Sequence, residues 1–307
     1  MTILVTGAAG FIGASLLRRL KDEAIVGLDL RAPLQPVPGV DYRQGDIRDR
    51  AALVALMNEV RPRVVLHLAS VVAAGGDAAL DHAIDVGGTE AVLIACKEAG
   101  VQRLVVTSSG AAYGYHADNP VPLQETDAVR GNEDFPYARN KRLVEEMLAR
   151  WRDLYPQLEQ VVFRPCTVLA PGLKNQITAI FERPMITGLS GAATPFSFIA
   201  DSDVAAALAR AATDGPPGIY NLAGDGALSL RQIAQRIGKP YLAIPPGLMR
   251  AALFAANRLG LTKLGPTQVL FLQYRPVLDN TRLKTVFGYV PEYDSAGAFA
   301  RYWQGVA

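Results

Sequence analysis

The chain has 307 residues, half of them hydrophobic and a fifth charged, so it is long enough for a sizeable core and too apolar for a disordered polypeptide. Its 31 basic and 29 acidic side chains leave a net charge of +2 with no outstanding basic run, so composition gives no reason to invoke nucleic acid or an acidic membrane. The two cysteines, Cys96 and Cys166, sit in apolar runs without a second Cys or a His at metal-ligand spacing. They read as buried structural thiols in a reducing cytoplasm, with no metal.

Residues 3–6 are an apolar run that passes straight into glycines, which reads as a first strand and not as a cleavable signal. A helical pattern follows over 11–20, then strands over 24–29 and 40–44, a helix over 51–60 and a strand over 64–68. The alternation continues with a helix over 85–98, a strand over 104–107, a helix over 137–152 and a strand over 161–164. Continuous Val/Ile/Leu strands separated by helices predict a doubly wound α/β fold, with a parallel Rossmann sheet covered on both faces. Ligands of such sheets bind at the carboxyl ends of the strands.

The pattern changes after Pro171, and up to residue 194 it is irregular. A further strand is expected over 219–222 and a helix over 230–237 capped by Ser229. Residues 1–170 therefore read as the dinucleotide domain, to which strand 219–222 returns, and 171–307 mostly as a smaller substrate-binding lobe packed with it as one unit. The apolar stretch 242–272 is interrupted by Pro245, Pro246, Arg250, Arg258, Lys263 and Pro266. It falls short of the ~20 apolar residues of a membrane span, and a substrate-covering helix pair or a partner surface fits it better.

The turn between the first strand and helix holds Gly7, Ala9, Gly10, Phe11, Ile12 and Gly13. Glycines so spaced permit a tight turn, close approach to a pyrophosphate, and close helix–strand packing. The free N–H groups of the following helix face the phosphates. Asp29 closes the second strand, 22 positions after Gly7, where a carboxylate binds adenosine ribose hydroxyls and repels a 2′-phosphate. NAD is thus the expected cofactor, with Arg31 softening the preference over NADP. Asp46, with Ile47 beside it, reads equally as an acceptor for the adenine amino group or as the N-cap of the helix that follows. Leu68, Ala69 and Ser70 end the fourth strand, where small residues let a cofactor lie close.

Tyr137 and Lys141 are four apart on a helical stretch and share a face. A fixed ammonium beside a phenol favours the phenolate, and the lysine can also hold the nicotinamide ribose. Ser109 follows the strand over 104–107 and can orient a substrate oxygen. A Tyr-x-x-x-Lys alone is ordinary on amphipathic helices; the order of glycine turn, acid, serine, then Tyr and Lys gives it meaning.

At these residues the chain resembles the extended short-chain dehydrogenase/reductase family, of the NAD-dependent sugar epimerase/dehydratase kind. TGAAGFIG from Thr6 matches TGxxGxxG, HLAS from His67 matches HLAA, SSGAAYG from Ser108 matches SSxxxYG, and YARNK from Tyr137 matches YxxxK. RPCTV from Arg164 is similar to the RPxxV strand whose backbone meets the nicotinamide, which adds Pro165 and Val168 to the expected cofactor site. FIADSDVA from Phe198 and GIYNL from Gly218 resemble later family segments.

The resemblance implies catalysis by Ser109, Tyr137 and Lys141. Gly110 and Ala111 stand where dehydratases of the family carry an Asp-Glu pair, so elimination of water is not expected. Asp85 replaces the usual Asn of NVxGT, and Arg275-Pro276-Val277-Leu278-Asp279 is only loosely similar to the RxGD that helps nucleotide-sugar members hold a diphosphate. The expected activity is hydride transfer, in an epimerase or oxidoreductase, on a secondary alcohol or ketone of a sugar or nucleotide-sugar-like substrate. The alternatives are a plain dehydrogenase or reductase of a sugar acid or hydroxysteroid-like alcohol, and a non-catalytic NAD-binding regulator. Relatives also imply a homodimer through the helices at 80–98 and 137–154.

Overall fold

Within each sheet strand, successive apolar side chains point to opposite faces, and helices on both sides bury them. A computed structural model describes residues 1–20, 23–72, 76–191, 195–262 and 265–306. Its strands are β1 (Thr2–Thr6), β2 (Ala24–Asp29), β3 (Val40–Gln44), β4 (Val64–His67), β5 (Arg103–Thr107), β6 (Glu159–Pro165), β7 (Thr167–Leu169), β8 (Ile186–Leu189), β9 (Phe198–Ala200), β10 (Gly218–Leu222) and β11 (Tyr241–Ile244). Its α-helices are α1 (Phe11–Leu17), α2 (Arg50–Val60), α3 (Ala78–His82), α4 (Gly88–Glu98), α5 (Pro136–Leu154), α6 (Thr178–Glu182), α7 (Asp201–Thr213), α8 (Leu230–Arg236), α9 (Pro246–Arg258), α10 (Gln268–Gln273), α11 (Thr281–Thr285) and α12 (Ser295–Gln304).

Seven strands pair in parallel in the order β3-β2-β1-β4-β5-β6-β10, the doubly wound Rossmann sheet expected. The winding reverses between β1 and β4, which opens a crevice at their carboxyl ends. Ile3 and Val5 of β1 face one layer, where Leu16, Leu17, Val204, Leu208 and Phe287 complete the core. Leu4 faces the other, with Leu53, Met57, Val92, Val144 and Leu148. Helix α7 thus lies against the main sheet although its sequence follows the chain's excursion into the lobe. A separate cluster of Leu169, Phe181, Phe196, Phe198, Ile233, Phe299 and Tyr302 forms the core of that lobe.

Local differences from the sequence reading have physical causes. Helix α1 ends at Leu17, three residues earlier than its pattern suggested. The segment expected to be irregular up to residue 194 contains α6 and β8, and β8 is fixed by pairing with β11 some fifty residues on. The helix expected from 85 begins instead at Ala78 and passes through a π-turn at Ala83–Gly87 before α4. Asp85 accepts from the Val71 amide at 3.0 Å in that turn, and a Cβ on Gly88 just after it would press on the Ile47 side chain at 2.5 Å. Ser229 caps α8 as expected, in a reciprocal capping box with Gln232. Lys263, which interrupts the apolar C-terminal stretch, lies outside the described residues.

Candidate active site

The glycine turn at the end of β1 is built by close contacts. Gly7 has φ +72°, and a Cβ there would stand 2.7 Å from the Ala69 amide nitrogen, so the strand-end small residues and the turn require each other. A Cβ on Gly13 would meet the Gly7 carbonyl oxygen at 2.3 Å, which forces the third glycine for helix–strand packing. At Gly10 an added Cβ would meet only that same oxygen, at 3.1 Å, so one side stays open to a phosphate. Phe11 is exposed at the rim, while Ile12 packs against the sheet core.

Asp29 lies beside this turn. Its Oδ2 accepts from the Ala9 amide at 3.0 Å and its Oδ1 from the Arg31 amide at 3.1 Å. The carboxylate is thereby aimed at the turn, with acceptor capacity left for two ribose hydroxyls. Asp46 does not cap α2; Asp49 does, accepting from the Ala52 amide at 3.0 Å. Asp46 instead grips Arg48, which holds its carboxyl below the usual range, and its remaining acceptor capacity is what a nucleotide could use. The Ile47 side chain is buried against the Gly88 backbone, so only its main chain is available to a ligand. Leu68 and Ala69 pack into the two sheet cores, and the Ser70 hydroxyl is buried without a hydrogen-bond partner among the described residues. Pro165 and Val168 are half-buried where β6 passes into β7. These features fit a dinucleotide: an open glycine, a bound and aimed carboxylate, and an unspent hydroxyl.

The structure brings Ser109, Tyr137 and Lys141 together at the carboxyl end of β5 and the start of α5. Ser109 caps a single 3₁₀ turn, its Oγ accepting from the Ala111 amide at 3.1 Å, and its hydroxyl lies near enough to Tyr137 to act on that phenol. Lys141 is buried, donates to the Thr107 carbonyl at 3.2 Å, and places Nζ 5.6 Å from the centre of the Tyr137 ring. Burial pushes the Tyr137 phenol up to about 12, the Ser109 hydroxyl pulls it down, and the Asp85 charge raises it further. Burial also lowers Lys141, against the opposing pull of Asp85 and Glu145. Desolvation is the largest influence on the Tyr137 phenol, which is protonated at neutral pH. Tyr115, Phe135, Leu270, Phe271 and Tyr274 give this centre an apolar wall, the last three from and just after α10.

Sequence reasoning missed the scaffold beneath the site. Glu145 and Arg164 form a salt bridge with each side chain only 4 % exposed. Ser108 donates to Glu145 at 2.6 Å, and Arg164 donates to the Tyr113 hydroxyl at 2.7 Å, which in turn donates to Asn221 at 2.8 Å. The network ties α5 to β5, β6 and β10. His67 bridges Thr6 at 2.8 Å and Thr89 at 3.0 Å, and burial drives it down to about 3, so it is neutral. The only available signal was the polar character of these positions inside apolar runs. Arg275 is also buried, its guanidinium 3.5 Å from the Phe196 ring centre and 3.8 Å from that of Phe271.

Residues 3–223 match the model of the NAD dependent epimerase/dehydratase family. The chain belongs to this family. NAD is the family's cofactor. Over 98 % of its length the chain is 30 % identical to UDP-glucose 4-epimerase of Mycolicibacterium smegmatis, covering 97 % of that protein. Over 60 % of its length it is 32 % identical to 2-alkyl-3-oxoalkanoate reductase of Stenotrophomonas maltophilia, covering 56 % of it. The fold is that of the UDP-glucose 4-epimerase of Thermus thermophilus in complex with NAD, with TM-score 0.77, 24 % identity, and 99 % and 98 % of the two chains covered. Among the described residues no helix is long and apolar enough to cross a membrane, and no cluster of ligating side chains could hold a metal.

Proposed function

We propose that this protein moves a hydride between NAD and a secondary alcohol or ketone of a sugar or nucleotide-sugar-like substrate, through Ser109, Tyr137 and Lys141. The observation that carries this reading is the juxtaposition of Ser109 and Tyr137, with the buried Lys141 placing Nζ 5.6 Å from the Tyr137 ring centre. Bound NAD supplies the hydride acceptor, and its reduced form the donor. In the reducing direction the protonated Tyr137 donates its proton to the oxygen on which negative charge develops, and Ser109 holds that oxygen by a hydrogen bond. In the oxidising direction Tyr137 must first lose its proton, and Lys141 favours that loss while holding the ribose. Gly110 and Ala111 offer no acid or base for elimination.

Similarity to UDP-glucose 4-epimerase over nearly the whole chain supports a nucleotide sugar. Arg275 supports an anionic group beside the lobe. A second reading, net oxidation or reduction of an apolar alcohol or ketone, is favoured by the wall of Leu270, Phe271 and Tyr274. Similarity to 2-alkyl-3-oxoalkanoate reductase over part of the chain supports it too. A screen of UDP-sugars, sugar acids and alkyl β-keto acids separates the two. Epimer exchange with no net NADH supports the first, and stoichiometric NADH formation or consumption supports the second. No change in any substrate class by an NAD-loaded protein would contradict both.

A further inference from the structure

The near-neutral charge of the whole chain conceals a segregated segment. Residues 226–278 contain seven basic side chains and no acidic one, the longest acid-free stretch in the sequence. Helix α9 lies within it. Helix α7, of the same length of 13 residues, buries seven side chains, whereas α9 buries none. The large apolar groups of α9 and of the turn after it face outward: Leu248 is 61 % exposed, Phe254 55 %, Leu259 73 % and Leu261 76 %. Arg250 and Arg258 are exposed on the same helix. Met249, Leu253 and Ala256, spaced to share one face, are its less exposed side.

We propose that α9 and the turn after it dock the protein on the surface of an anionic lipid bilayer. An amphipathic helix of this kind lies in the plane of the interface, with Leu and Phe in the acyl boundary and arginines at the phosphates. Thirteen residues are too few to span, and the two arginines exclude burial in the hydrocarbon. A segment without acidic side chains, carrying the exposed Arg250 and Arg258, favours a negatively charged partner, and the exposed apolar groups favour one that can bury them; an anionic bilayer does both. Helix α9 contacts α10, which carries Leu270 and Phe271 to the Tyr137 cluster, so docking sets that wall of the site near the lipid.

The test is flotation of the full chain with vesicles of phosphatidylcholine alone and of phosphatidylcholine mixed with phosphatidylglycerol. The protein is expected to float with the mixed vesicles at low ionic strength and to be released by salt. Arg250→Gln and Arg258→Gln should each weaken binding roughly fivefold, from about 1 kcal/mol per basic side chain at such a surface. Leu248→Glu with Phe254→Glu should abolish flotation while leaving NAD binding and the melting transition unchanged. Equal recovery with and without phosphatidylglycerol, or no flotation, would overturn the proposal. So would a light-scattering mass that falls to a monomer in the double variant without any vesicle binding, which would give the face to a second copy. None of these readouts involves turnover, so the reaction proposed above can fail without affecting this one.

Discussion

The Lys141 ammonium donates to the Thr107 carbonyl oxygen at 3.2 Å, fastening α5 to the end of the strand that leads into Ser109. Replacing Lys141 with alanine therefore removes a fastening as well as a charge. Turnover is expected to fall and NAD to bind more weakly, read by single-turnover kinetics and calorimetry. Ser109→Ala should lower turnover with little change in NAD affinity, because the contact proposed for its hydroxyl is with the substrate oxygen. The two losses should not add, since both groups act through Tyr137.

Asp85 offers a test by pH. Its charge raises Tyr137, so Asp85→Asn should lower the phenol's value. In the proposed mechanism oxidation requires the phenolate, so its rate rises as pH climbs through that value, and in the variant the rise should come at lower pH. The amide oxygen of Asn can still accept from Val71, which keeps the π-turn. A pH–kcat/KM profile with an unmoved acid limb would show that Asp85 has only a structural role.

Asp29→Ala should narrow the preference for NAD over NADP. The variant loses the proposed ribose acceptor together with the Ala9 anchor, so NAD binding should weaken more than NADP binding does. Calorimetric titration of both cofactors into both proteins checks this.

Glu145→Gln should be costly to stability. It leaves Arg164 buried with its counter-charge removed, and breaking one partner of such a pair costs about 3–5 kcal/mol. Urea unfolding of the intact and variant chains reads the difference, and a loss below about 1 kcal/mol would mean that the network does not bear on α5.

The sheet was legible because fully buried parallel strands leave continuous apolar runs, and the glycine turn because each glycine answers to a close contact. The lobe was not. Strand β7 has three residues and pairs with β9 some thirty positions on, so neither length nor periodicity marks it. The π-turn at Asp85 depends on a tertiary bond to Val71 that no local pattern carries. Ser109, Tyr137 and Lys141 were picked out by order, spacing and resemblance, but the protonated state of Tyr137 follows from burial, which the sequence does not display. The Asp46 cap reading failed because Asp49, three residues later, stands in register with the first free amides of α2.

The proposal that Tyr137 transfers the proton is tested most directly by the turnover of Tyr137→Phe on the substrate the screen identifies. The change removes one hydroxyl from a packed ring and should leave the fold and NAD affinity unaltered. A fall of ~10²–10⁴-fold in kcat at unchanged NAD affinity is the expected result. Near-normal kcat in the variant would contradict it and move the chemistry away from Ser109, Tyr137 and Lys141.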